Sequence, residues 1–171
     1  GSIYAGTVHP GKYLVLISGD TASVEEGLDA GVALGAGNVL DTVFLPDIHP
    51  AVATGIHADE PHATFTGEAL GIVETTTVPA LLRAADAGMK AAAVALGALR
   101  IADDLGGKGY VLFHGAVSDV EAAVEAASER AAAGLLTGRV IAQLHDDVAT
   151  NLVRELGFMS RVVRRPSERG A

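Results

Sequence analysis

The chain is expected to adopt a mixed α/β (α+β) fold built from two tandem copies of one unit. Three observations carry this expectation. Short apolar runs alternate with amphipathic helical patterns, apolar residues make up 49% of the 171-residue chain, and the sequence resembles itself at a fixed spacing. Aromatics are only 4% and Trp is absent, so the core must be assembled from Ala, Val, Leu and Ile in thin, closely packed layers.

A shift of 96 residues places PGKYLVLISGDTASVEE (Pro10 to Glu26) on GGKGYVLFHGAVSDVEA (Gly106 to Ala122), and LDTVFLPDIHPAVAT (Leu40 to Thr54) on LTGRVIAQLHDDVAT (Leu136 to Thr150). Between Gly11 and Ile56, 14 of 46 positions are identical without a gap. Composition alone predicts roughly four or five identities, so the duplication is genuine.

Each copy reads in the same order. A Gly-Lys turn leads into a buried strand, Tyr13 to Ser18 and Tyr110 to His114, closed by Gly19 or Gly115. An amphipathic helix follows, Thr21 to about Gly35 and Val117 to about Ala133. Ser23 and Ser118 near its start and acidic residues in its first turns suit the positive end of the helix dipole. A second strand is predicted at Leu40 to Leu45 and Leu136 to Leu144, then a turn containing His49 or His145. The second copy also has a strand, Ala69 to Glu74, and a helix with Pro79 in its first turn and Leu81, Leu82, Ala85 and Met89 on its apolar face. Nothing in the first copy corresponds to that pair. It starts one strand and one helix short, which would leave a sheet edge unpaired unless a preceding segment or another chain completes it. The expected organisation is a partial first domain at 1–58, a polar linker at 59–67, a complete second domain at 68–157 and an Arg-rich tail at 158–171.

Composition excludes several functions. A net charge of −9 argues against a general nucleic-acid binder, which needs a basic surface to neutralise phosphates. The absence of cysteine removes disulfides, thiolate metal sites and Cys-ligated iron–sulfur clusters. The longest apolar run, Ala91 to Leu99, is about half a membrane span. GSIYAG at the start has no charged-then-apolar export pattern, so a cytoplasmic protein without a membrane segment is expected.

The candidate chemical motifs are weak. His9-Pro10-Gly11-Lys12 precedes an apolar run, but a phosphate loop requires G-x-x-x-x-G-K-[ST] and a helix. Tyr13 or Gly109 follows the lysine here, and a strand follows the turn, so converging helical N–H groups are lacking. His57, Asp59, Glu60 and His62 fit no standard metal spacing and read as linker. His49 and His145 correspond across the repeat and read as structural turn residues. His114 faces Ser18 in the alignment, and Glu74 is a lone carboxylate at a strand end. No catalytic set, cofactor or metal is predicted.

ALGIVETTTVPALLRAADAGMKAA (Ala69 to Ala92) resembles the opening strand and helix of the bacterial microcompartment shell domain, with its G-hydrophobic-V-E-T strand and A-A-D-x-x-x-K-A helix. LGGKGYVLFHGAVSDVEAAVEAA (Leu105 to Ala127) resembles that domain's second half, and LDTVFLPDIHP (Leu40 to Pro50) resembles a strand of its tandem versions. The resemblance runs from about His9 to Val153.

It implies two ferredoxin-like α/β domains per chain, assembled as a homotrimer that imitates a hexagonal tile. Such a tile packs with other shell proteins around a bacterial organelle and passes small metabolites through a central pore. Val8, His9, Pro10 and Gly11 of one copy and Asp104, Leu105, Gly106 and Gly107 of the other would line that pore, with Asp103 and Asp104 as acidic rings. Lys90 matches the tile-edge lysine, and His49 and His145 stand where the family commonly has Arg-Pro-His. His9 occupies the position at which some tandem members have a cluster-binding Cys, so no iron–sulfur role is implied. The competing expectation is a trimeric small-molecule-binding regulatory protein of the same fold. Neither is an enzyme.

Overall fold

A computed structural model describes residues 1–57, 65, 68–102, 105–145 and 148. The first half contains β1 (Ser2–Val8), β2 (Lys12–Ser18), α1 (Thr21–Gly35), a 3₁₀ turn (Ala36–Asn38) and α2 (Pro50–His57). The second contains β3 (Ala69–Thr75), α3 (Val78–Ala91), β4 (Ala95–Ile101), β5 (Gly109–Gly115), α4 (Val117–Ala131), a 3₁₀ turn (Ala132–Gly134) and β6 (Leu135–Ala142).

The second half is a closed unit. Its sheet runs β4-β5-β3-β6 with every pair antiparallel, the ferredoxin-like arrangement of a split β-α-β unit. Both helices cover one face. Thr77 caps α3 by accepting the Ala80 N–H at 3.2 Å, and Pro79 sits where its missing N–H costs nothing. Helix α3 buries Leu81, Leu82, Ala85 and Met89, as its periodicity predicts. Helix α4 buries Val120, Ala123, Val124, Ala127 and Ala131 at three- and four-residue intervals. The two helices approach closely at Gly88. A Cβ there would lie 2.5 Å from Phe113 Cζ and 3.0 Å from the Ala123 carbonyl oxygen.

The first half repeats the pattern and then departs from it. Helix α1 and its 3₁₀ turn match α4 and its turn residue for residue at the 96-residue shift. Both end on an alanine at positive φ, 42° at Ala36 and 49° at Ala132. The Asp20 carboxylate caps α1 by accepting the Ser23 N–H at 3.0 Å. That backbone bond, with the Ser23 hydroxyl, holds the Asp20 pKa below its ordinary value. The charged cap is therefore complete above the ordinary carboxylate pKa and is lost as pH falls through the lowered one.

The expected strand at Leu40 to Leu45 does not form, whereas its counterpart is β6. The reason is a missing neighbour. Strand β6 pairs with β3, and no counterpart of β3 exists in the first half among the described residues. Without a ladder partner the 40–45 segment forms no strand, and β1–β2 remains a two-stranded sheet. Helix α1 buries none of its residues, although Val24, Gly27, Leu28, Gly31 and Gly35 occupy the positions of α4's five buried ones. Three elements were not anticipated from sequence: β1, β4 and α2. The helix α2 replaces the simple turn expected after His49, whose carbonyl accepts the Val52 N–H at 2.9 Å.

Two glycines test this asymmetry in the isolated chain. Gly88→Ala should destabilise by about 2 kcal/mol, because Phe113 and the α4 backbone must give way. Gly31→Ala has nothing within 4 Å of the added carbon and should stabilise by up to about 1 kcal/mol through helix propensity. Urea denaturation of both variants checks the opposite signs.

Candidate functional site: paired turns and a polar helix face

Two places combine exposed polar groups with close approach between the halves. The first is built from the β1–β2 and β4–β5 turns. Gly11, Gly106 and Gly107 have φ of 68°, 67° and 85°, values that favour glycine. The turns lie side by side: Lys12 Nζ donates to the Gly106 carbonyl at 2.7 Å. Its stem runs over Gly107, where a Cβ would stand 2.7 Å from Lys12 Cδ. A Cβ on Gly106 would be 3.5 Å from Pro10 Cδ. The structure thus brings His9, Pro10 and Lys12 beside Gly106 and Gly107. His9, Pro10 and Gly11 are exposed, Leu105 is half-buried, and Val8 turns inward to join the core at 5% exposure. Asp103 and Asp104 lie outside the described residues, as do Asp59, Glu60 and His62 and the Arg-rich tail.

The second place is the polar side of α3, which holds the extended segment of the first half. Arg83 pairs with Asp41 at 3.1 Å and donates to the Thr42 carbonyl at 2.6 Å. The Thr77 hydroxyl donates to the same Asp41 carboxylate. Further along, Asp86 accepts the His49 N–H at 2.7 Å through one oxygen and Lys90 Nζ at 2.8 Å through the other. Lys90 also donates to the Asp47 carbonyl. Lys90 and His49 therefore converge on one carboxylate. His145 stands at the corresponding turn of the second half, its carbonyl accepting the Val148 N–H at 2.9 Å. Asp41, Arg83 and Asp86 were missed from sequence, because their roles come from contacts between segments about forty residues apart.

Chemically, these groups position backbone and hold charge. Among the described residues no three His, Asp or Glu side chains gather to hold a metal ion. The two carboxylates of the second place, Asp41 and Asp86, accept from Arg83, the Thr77 hydroxyl, the His49 N–H and Lys90. Among the described residues no helix is long and apolar enough to cross a membrane.

The sequence model of the BMC domain, the bacterial microcompartment domain, matches residues 2–48 and 69–144, one segment in each half. The chain belongs to that family as a tandem member. Its relatives include the bacterial microcompartment shell protein PduT of Citrobacter freundii, 38% identical over 149 residues, covering 86% of this chain and 80% of PduT. The carboxysome shell protein CsoS1C of Halothiobacillus neapolitanus is 41% identical over 91 residues, 50% of this chain and 89% of that protein. A half-length match of this kind suits a chain that carries the domain twice. The crystal structure of a microcompartment protein from Desulfitobacterium hafniense superposes with a TM-score of 0.76 at 39% identity, covering 86% of this chain and 83% of that one.

Asp86 is the test of the polar helix face. Asp86→Ala leaves the His49 N–H without its acceptor and releases Lys90, and should cost about 2 kcal/mol. Asp86→Asn keeps an acceptor and should cost less. Urea midpoints of the two variants decide the order.

Proposed function

We propose that the chain is a structural tile of a bacterial microcompartment shell, three copies forming a ring of six pseudo-equivalent halves around a pore for small metabolites. The reading is non-enzymatic and places the protein at an organelle shell in the cytoplasm. Each half is assigned as one shell domain, complete in the second and partial in the first.

The observation that carries this is the head-to-tail contact between the halves. Helix α2 of the first half docks on β4 of the second, so tightly that a Cβ on Gly55 would lie 2.9 Å from Leu96 Cδ2 and 3.4 Å from Leu99 Cβ. Val52 on α2 is 0% exposed and Leu99 on β4 is 3% exposed. At the 96-residue shift Val52 becomes Val148, which is 44% exposed, and on the ladders Ile3, opposite Ile17, holds the place of Leu96, opposite Phe113, and is 71% exposed where Leu96 is 5% exposed. The second half thus presents an uncovered copy of the docking residue, and the first half an uncovered copy of its seat. A single chain offers no way for them to meet, whereas a neighbour in the same orientation does. A heterologous contact of this kind generates closed rings or open filaments, and side-by-side turns converge on an axis only in a ring. His9, Pro10, Gly11, Leu105, Gly106 and Gly107 form the rim in this reading. Val8 supports it from the core.

Lys90, His49 and His145 are assigned to the tile edge. An ammonium carries three donors, and Lys90 uses them on Asp86 and the Asp47 carbonyl, which leaves one for an adjacent tile. Its side chain is 41% exposed.

Native mass spectrometry should find three times the 17.3 kDa chain mass, and concentrated samples should form sheets or tubes by negative stain. Lys90→Ala should keep that mass and lose the sheets. Ile3→Glu, at a position exposed in the single chain, should leave helix content unchanged and shift the mass to monomer. A wild-type protein that stays monomeric at high concentration overturns the ring.

A further inference from the structure

We infer that Lys108 of one protomer donates to the Pro10 carbonyl of the next, so that every second contact around the rim is made between chains. The inference rests on the ring proposed above and adds the residue pair that locks it at the axis.

Lys12 and Lys108 are equivalent at the 96-residue shift, as are Pro10 and Gly106, and Gly11 and Gly107. Within the chain, Lys12 crosses from its own turn to the Gly106 carbonyl. In a head-to-tail ring the same step taken from the second half runs from Lys108 to Pro10 of the neighbour.

Both ends of that second contact are present and open. The Lys108 backbone is pinned at the base of its turn: its N–H donates to the Leu105 carbonyl at 3.2 Å and its carbonyl accepts the Ala102 N–H at 2.9 Å. The residue is nevertheless exposed, so its stem projects from a fixed point. On the receiving side, the Lys12 stem occupies the space over Gly107, where a Cβ would meet it at 2.7 Å, 3.1 Å and 3.5 Å. The equivalent space over Gly11 is empty to 4 Å. Gly11 thus leaves room for a lysine stem at the same place in its turn as Gly107, and like Gly107 it has positive φ. A long flexible stem ending in three donors suits the span from turn to turn, and a carbonyl at an exposed proline is a ready acceptor.

The chain has no cysteine, so thiol cross-linking reads this contact without background. The double variant Pro10→Cys with Lys108→Cys, treated with a short bis-maleimide, should give covalent dimers and trimers on a denaturing gel. Peptide mapping should join residue 10 of one chain to residue 108 of another. Lys108→Met, with Pro10 intact, should dissociate on dilution at a concentration at least tenfold higher than wild type, with an unchanged circular dichroism spectrum. If the wild type is trimeric by native mass but no 10-to-108 interchain product forms and Lys108→Met dilutes like wild type, the latch is wrong and the ring stands. If the wild type is monomeric, the ring fails and the latch falls with it.

Discussion

Helix α3 is held on two sides at once, and the arrangement of both halves depends on it. Its apolar side packs against α4 through Gly88, where backbone approaches an aromatic ring and a carbonyl with no space for a methyl group. Its polar side grips the extended segment of the first half at Asp41, Thr42, Asp47 and His49 through Arg83, Asp86 and Lys90. Asp86 is 8% exposed, so its charge is tolerable only because both oxygens are engaged, one by a backbone N–H and one by an ammonium. The first half is therefore fastened by hydrogen bonds along one helix as well as by apolar burial of Val52.

The comparison of α1 with α4 shows how far local sequence determines burial. Val24, Gly27, Leu28, Gly31 and Gly35 follow the same spacing as Val120, Ala123, Val124, Ala127 and Ala131, and the helices have the same length and the same positive-φ alanine at the end. One set is buried and the other is not. The difference lies outside the helix, in the presence of α3 across from α4 and of β3 beneath it. Amphipathic spacing specifies a face; a neighbour is needed to bury it.

The same distinction separates what was legible in the sequence from what was not. The Gly-Lys turns, β2, β3, β5, β6 and all three long helices follow from periodicity and punctuation within a single segment. The 40–45 segment carries a strand-like pattern, but a strand exists only through its ladder, and that partner is missing among the described residues. Strand β4 follows an alanine-rich stretch with helical character, and only its pairing with β5 makes Ala95–Ile101 extended. In α2, Pro50 at the first turn was a usable signal, but β-branched Val52, Thr54 and Ile56 and the small Gly55 weaken any helical pattern. The turn glycines Gly11 and Gly107 stood out because the repeat aligns the two Gly-Lys turns. The Asp41–Arg83 pair and the grip of Asp86 on the His49 N–H did not, because contacts between distant segments leave no local trace.

Duplication within one chain also permits what six identical copies would not. Gly106 sits at φ of 67°, a conformation closed to Pro10 at the equivalent position, so the two turns differ in backbone shape as well as in side chain. His9 and Pro10 stand on one turn where Leu105 and Gly106 stand near the same place on the other. Around a trimer axis, the rim would alternate between a rigid, imidazole-bearing turn and a small, glycine-rich one. The lysine that ends each turn is common to both, and within the chain Lys12 crosses to the Gly106 carbonyl of the other turn.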